Sequence, residues 1–168
     1  GSRLFSAITE LPEYYPTRTE AAIFSEELPR IAEALGPVPT LVDLGAGNCE
    51  KAARLFFAFR VERYVAVDIS ANYLRESLER LQRQHPAMEM LGVGLDFSQD
   101  LKLPAEVGVG PRTLFYPGSS IGNFAPNEAL AFLRRAPAEC QSGALLIGVD
   151  LVKPVAILEP AYDDPLGV

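Results

Sequence analysis

The sequence predicts a doubly wound α/β fold built on a parallel sheet, and three observations carry that prediction. From residue 40 onward, short apolar runs alternate with helical stretches, the order that right-handed βαβ crossovers produce. The strands read as nearly unbroken hydrophobic runs, as strands covered on both faces do. Residues 41–51, "LVDLGAGNCEK", lead one such strand into a tight glycine turn and then into a segment ready to start a helix.

The elements follow in order. Residues 1–37 read as an N-terminal helical segment around an irregular "LPEYYPT", and residues 38–168 as the core. Thr17 and Glu20 have capping-box spacing, so a helix is expected to begin there. Pro29 should kink or restart it, and Gly36-Pro37 should end it. Strands are then expected at 40–44, 64–68, 88–95, 112–117 and 144–152, with helices at 49–59, 71–84 and 126–136. The fifth strand is strongly apolar, yet "PAYDDPLGV" at the end of the chain does not read as a further strand. An uncovered apolar edge is an aggregation liability. The expectation is a fold truncated after its fifth strand, or an edge covered in trans by self-association.

Length and composition bound the function. A chain of 168 residues suggests one domain that buries about two-thirds of its unfolded surface. A net charge of -7 leaves no basic stripe to offset phosphates, which argues against nucleic acid and against an anionic membrane surface. A small, even cationic, ligand fits better. Cys49 and Cys140 are the only cysteines and show no metal-ligand spacing, so no metal is expected, and a reducing cytoplasm suits them. No run approaches the ~18 apolar residues of a membrane span, and the N-terminus lacks a signal pattern.

The glycine turn is the chemical clue. In open α/β sheets, ligands bind beyond the carboxyl ends of the strands. Gly45-Ala46-Gly47-Asn48-Cys49-Glu50 begins like a dinucleotide fingerprint, but Glu50 stands where a third glycine or alanine would pack helix on strand. A carboxylate there would also compete with a pyrophosphate for the helix amides. No GK[ST] follows, so a Walker P-loop is absent. These departures count against a nicotinamide oxidoreductase. Asp68 ends the second strand 23 residues after Gly45, near the roughly 20-residue offset of a ribose-binding carboxylate. Asp96-Phe97 ends the third strand and offers an acceptor beside an aromatic face, suited to adenine. Adenosine without a diphosphate, in an acidic surround that tolerates a cation, points to S-adenosylmethionine. Lys51, one turn into the helix, would meet that ligand's carboxylate. Each residue also has a plainer reading: a GxG turn as a tight connection, Asp68 and Asp96 as helix caps.

The strings "LPEYYPTRTE", "VDLGAGNCEK", "VAVDIS", "LDFS", "PGSSIGNFAP" and "GVDLVK…AYDD" resemble the histidine-specific methyltransferase family. That family makes the trimethylated histidine betaine on the way to ergothioneine. The resemblance implies a Rossmann-like class I methyltransferase core in which Gly45, Lys51, Asp68, Asp96 and Phe97 contact S-adenosylmethionine, with Gly47 in the same turn. It implies that Tyr15, Asn123 and Tyr162 hold the amino-acid substrate, with Asn123 and Tyr15 the catalytic candidates. Asn123 follows the fourth strand in a glycine-rich loop, so its carboxamide oxygen can accept from an amine and align the nitrogen lone pair. Tyr15 or a water would take the proton. Without the resemblance, the tyrosine reads as loop packing and the asparagine as a turn residue. Family members continue past "AYDD" into segments that complete the amino-acid pocket, so this chain is expected to be the donor-binding core. The alternatives are a methyltransferase of another small amine, such as an indole amino acid, and a catalytically incomplete donor-binding module.

Other candidates rank lower. His85 before Pro86 reads as a solvated histidine at a helix end. Cys49 near a helix N-terminus would have a lowered thiol pKa, but no histidine lies near it in sequence. Ser119-Ser120 lacks a nucleophile elbow, because Pro117 precedes in place of glycine.

Overall fold

The computed structural model describes residues 8, 9, 11 and 14–162. The sheet has five strands, β1 (Thr40–Leu44), β2 (Arg63–Asp68), β3 (Glu89–Gly94), β4 (Arg112–Tyr116) and β5 (Ala144–Ile147). Their order is β3-β2-β1-β4-β5, and every pairing is parallel. The order reverses between β1 and β4, the switch point at which doubly wound sheets open a crevice.

Side chains alternate across β1. Leu41 joins one buried cluster and Val42 and Leu44 the other. The first cluster lies under α1 (Tyr15–Leu35), the short helices α2 (Glu50–Ala53) and α3 (Phe56–Phe59), and α4 (Ala71–Gln84). The second lies under α5 (Pro126–Cys140), which buries Phe132, Ala136 and Cys140 at helical spacing. Apolar side chains on both faces are why the strands read as continuous runs.

Several boundaries differ from those expected. Helix α1 starts at Tyr15 with Pro16 in its first turn and runs through Pro29 to Leu35. Phe24 and Leu28 before the proline, and Ile31, Ala32 and Leu35 after it, pack on the same cluster, so burial outweighs one lost backbone bond. The stretch 49–59 forms two short helices, because Leu55 N bonds the Ala52 carbonyl three residues back and tightens the chain there. Ala52, Leu55, Phe56 and Phe59 still fall at helical spacing and are buried, which explains the single helix expected. The fifth strand ends at Ile147. Gly148 N makes one more bond, to the Tyr116 carbonyl, and the chain then crosses the carboxyl edge into α6 (Val155–Tyr162). A Cβ at Gly148 would lie 2.6 Å from a Glu20 carboxylate oxygen, so a side chain there would require the Glu20 carboxylate to shift. Beyond it Val149, Leu151 and Val152 are exposed, and their apolarity had lengthened the expected strand. No helix among the described residues is long and apolar enough to cross a membrane.

Candidate functional site

The turn after β1 folds back on the end of β2. Gly45 N and Ala46 N both donate to the Val67 carbonyl, at 2.9 and 3.0 Å. Gly45 (φ 78°) and Gly47 (φ 54°) occupy the left-handed region that favours glycine. The nearest atom to a Cβ at Gly45 would be Phe97 Cζ, 3.9 Å away, so the glycine leaves a gap bounded by that ring. Gly47 N donates to Asp68 Oδ2 at 3.0 Å, and Ser70 N donates to Asp68 Oδ1 at 2.8 Å. The carboxylate at the end of β2 therefore sets the glycine turn and opens α4 together. Asp96 is exposed and accepts from Ser98 N (3.1 Å) and Ser98 Oγ (2.5 Å), a local turn that leaves lone pairs outward. Phe97 is half-buried, edge-on to Tyr116 with ring centres 5.4 Å apart.

Lys51 is held by a residue that sequence reasoning assigned elsewhere. Its Nζ donates to Glu20 Oε2 at 2.6 Å, while Gly118 N donates to Glu20 Oε1 at 2.5 Å. The Thr17–Glu20 capping box does not form, since the N-terminus of α1 has no side-chain cap bond and the Glu20 carboxylate is spent on this junction. One acid thus joins α1, the helix after β1 and the loop after β4 at the switch point. That loop begins with left-handed Gly118 (φ 76°) and Ser119 (φ 55°) and makes a turn of 3-10 helix over Ser120–Asn123. Asn123 is exposed, and Phe124 behind it packs near Tyr116 and Phe132.

Tyr15 lies on the same edge. Its hydroxyl donates to Asp150 Oδ2, Asp150 Oδ1 is paired with the Lys153 ammonium, and that ammonium lies 5.2 Å from the centre of the Tyr15 ring. Burial, then the bond to Asp150, push the Tyr15 phenol up to about 12. At neutral pH it is a protonated phenol, able to accept a hydrogen bond but poorly placed to take a proton. Asp150 is held below its ordinary range by Lys153 first and Tyr15 second. Tyr162 is exposed, with its ring edge-on to Tyr14 at 5.9 Å.

Two lower-ranked candidates also changed. Cys49 is fully buried, and burial pushes its thiol up to about 11, the reverse of the helix-terminus expectation. His85 is half-buried against Phe56, ring centres 5.3 Å apart. Among the described residues no group of three or more His, Cys, Asp or Glu side chains could hold a metal ion. The structure thus gathers Gly45, Gly47, Asp68 and Phe97 around one turn, with Lys51 beside the Gly118–Asn123 loop. Sequence reasoning missed Glu20, Asp150 and the buried Asp43. An acid inside an unbroken apolar strand was the available signal for Asp43.

Residues 1–168 match the family described as histidine-specific methyltransferase, SAM-dependent. This chain belongs to that family. Among relatives of this chain, the histidine N-alpha-methyltransferase of Mycobacterium tuberculosis is 41% identical over 174 residues, covering 100% of this chain and 53% of that protein. Ergothioneine biosynthesis protein 1 of Neurospora crassa is 32% identical over 179 residues, covering 100% of this chain and 20% of that protein. The fold is similar to the solved structure of a mitomycin 7-O-methyltransferase, with a TM-score of 0.55 at 18% identity over 81% of this chain and 40% of that one. The chain spans about half the length of its mycobacterial relatives.

Proposed function

We propose that this chain supplies the donor-binding part of an enzyme that methylates the α-amino nitrogen of histidine, giving the trimethyl betaine. The observation that carries the reading is the junction at the switch point, where Lys51, Glu20 and Gly118 bring the turn after β1 against the loop that bears Asn123. The residues fit S-adenosylmethionine. The gap over Gly45 admits close approach to the backbone, Asp68 and Asp96 offer acceptors for hydroxyl and amino groups, and Phe97 offers a ring face. Lys51 would take the α-carboxylate. When bound, that group supplies an electrophilic methyl on a sulfonium centre.

The chain's own residues have the other tasks. In the first transfer Asn123 and Tyr15 would each accept one N–H of the substrate amine, and Tyr162 would face the remainder of the amino acid. Methyl transfer by displacement needs a neutral amine, alignment and exclusion of water, so orienting acceptors serve better than a strong base. In this proposal residues 1–37 contribute to the substrate pocket, residues 38–168 hold the donor, and the enzyme acts in the cytoplasm without nucleic acid. The outer edge of β5 offers a surface for self-association, which a concentration-independent monomer mass would refute.

The test is methyl transfer by the protein that carries this chain with its natural flanks, using labelled S-adenosylmethionine and either histidine or tryptophan. Label in mono-, di- and trimethylhistidine is the expected result. Transfer to tryptophan alone would favour the other-amine alternative. Donor binding without transfer to either would favour a binding module.

A further inference from the structure

Asp150 follows β5 and, among the described residues, links three separate segments. Its backbone N donates to Ser119 Oγ at 2.8 Å, four residues before Asn123 on the loop after β4. Its carboxylate accepts the Tyr15 hydroxyl from the start of α1 through Oδ2. Oδ1 accepts from Leu151 N at 3.0 Å and from Lys153 Nζ. The Lys153 ammonium, over the Tyr15 ring, keeps the acid charged and confines the ring.

A phenol has one proton and two lone pairs. When the proton is committed to a carboxylate, the oxygen presents only lone pairs to any other partner. In the first two transfers, while the nitrogen still carries hydrogen, an amine approaching such an oxygen donates N–H to it and keeps its own lone pair free. An uncommitted phenol would instead turn its proton onto the amine lone pair and remove the nucleophile. We propose that Asp150 is the positioning residue of the reaction. It fixes Tyr15 as a pure acceptor and holds the Asn123 loop in register with it, so that both oxygens address one amine. The proposal rests on the histidine methyltransferase reading for its substrate, but the Tyr15–Asp150 bond can be tested without turnover.

The first measurement is NMR titration of tyrosine labelled at Cζ, in the chain and in Asp150→Ala and Tyr15→Phe, the last assigning the resonance. Tyr15 is expected to titrate near 12 in the parent and lower in Asp150→Ala, though still above the ordinary value of about 10 because burial, the larger cause, remains. Identical titration in both would overturn the bond and the proposal with it.

The second measurement is kinetic, in the full-length protein. Asp150→Ala and Tyr15→Phe are each expected to lower kcat by about tenfold to a hundredfold, the scale of a misaligned reactant. The double variant should be no worse than either single one. Asp150→Asn, whose amide oxygen still accepts the phenol proton, should retain more activity than Asp150→Ala. Affinity for S-adenosylhomocysteine should stay within about twofold throughout, a split that general unfolding would not give. Multiplying losses, or full activity in Asp150→Ala, would overturn the positioning role. A parent that binds the product but methylates no histidine would instead refute the functional reading, leaving the titration to decide the bond.

Discussion

Asp43→Asn is expected to abolish most of the pH dependence of stability between pH 4 and 7. Asp43 lies in β1 two residues before Gly45 and is buried, with Tyr64 Oη donating to its Oδ2 at 2.7 Å. Burial is the largest influence on its acidity; the Tyr64 bond and Lys51 act the other way, and the carboxyl is raised from 3.8 to about 7. A raised acid binds its proton more tightly in the folded chain than in the unfolded one. The stability it contributes is therefore fully present below about pH 4 and is lost as pH rises through 7. At about 1.4 kcal/mol per pH unit, the gap between 3.8 and about 7 corresponds to about 4 kcal/mol. Asparagine is neutral at every pH and keeps an oxygen for Tyr64, but its buried amide hydrogens lack partners, at about 1–3 kcal/mol. The variant should thus be more stable than the parent by about 1–3 kcal/mol at pH 8 and less stable by a similar amount at pH 4. Urea unfolding at a series of pH values gives both curves, and they should cross. Parallel curves would show that Asp43 ionises normally in the folded chain and would refute the burial reasoning.

Four further outcomes follow from particular contacts. Glu20→Ala removes a charged acceptor from Gly118 N and the partner of a partly exposed Lys51; a loss of about 2 kcal/mol in urea unfolding is expected, mostly from the amide bond. Gly143→Ala would set a Cβ 2.0 Å from the Arg112 carbonyl oxygen, so about 3 kcal/mol or failure to fold is expected, and an unchanged melting temperature would contradict the geometry. Phe132→Ala empties the contact with Tyr116, Phe97 and Phe124 and should cost about 3–5 kcal/mol by the same assay. Cys49 should resist iodoacetamide at pH 8 in the folded chain and react once urea unfolds it, as mass spectrometry would show.

The sheet was legible because its residues obey short-range rules. β1 and the start and end of α4 fall at the expected positions, each marked by composition alone. What the sequence concealed depends on contacts between distant segments. Glu20 looked like a helix cap because Thr17 stands three residues before it, yet its partners Lys51 and Gly118 are 31 and 98 residues away. Asp150 was hidden in an apolar run read as strand, and its bond to Tyr15 spans 135 residues. Cys49 misled for a related reason. The helix it precedes has four residues, and the chain around it buries the thiol completely, so desolvation outweighs the helix terminus.

The central claim is that the edge formed by the turn after β1 and the end of β2 is a methyl-donor site. It is tested most directly by calorimetric titration of this chain with S-adenosylhomocysteine, with NAD as control, and by repeating the titration on Asp68→Ala. Saturable binding of S-adenosylhomocysteine alone, lost in the variant while its circular dichroism stays that of the parent, is the predicted result. A folded chain that binds NAD in preference, or binds neither ligand, would contradict it.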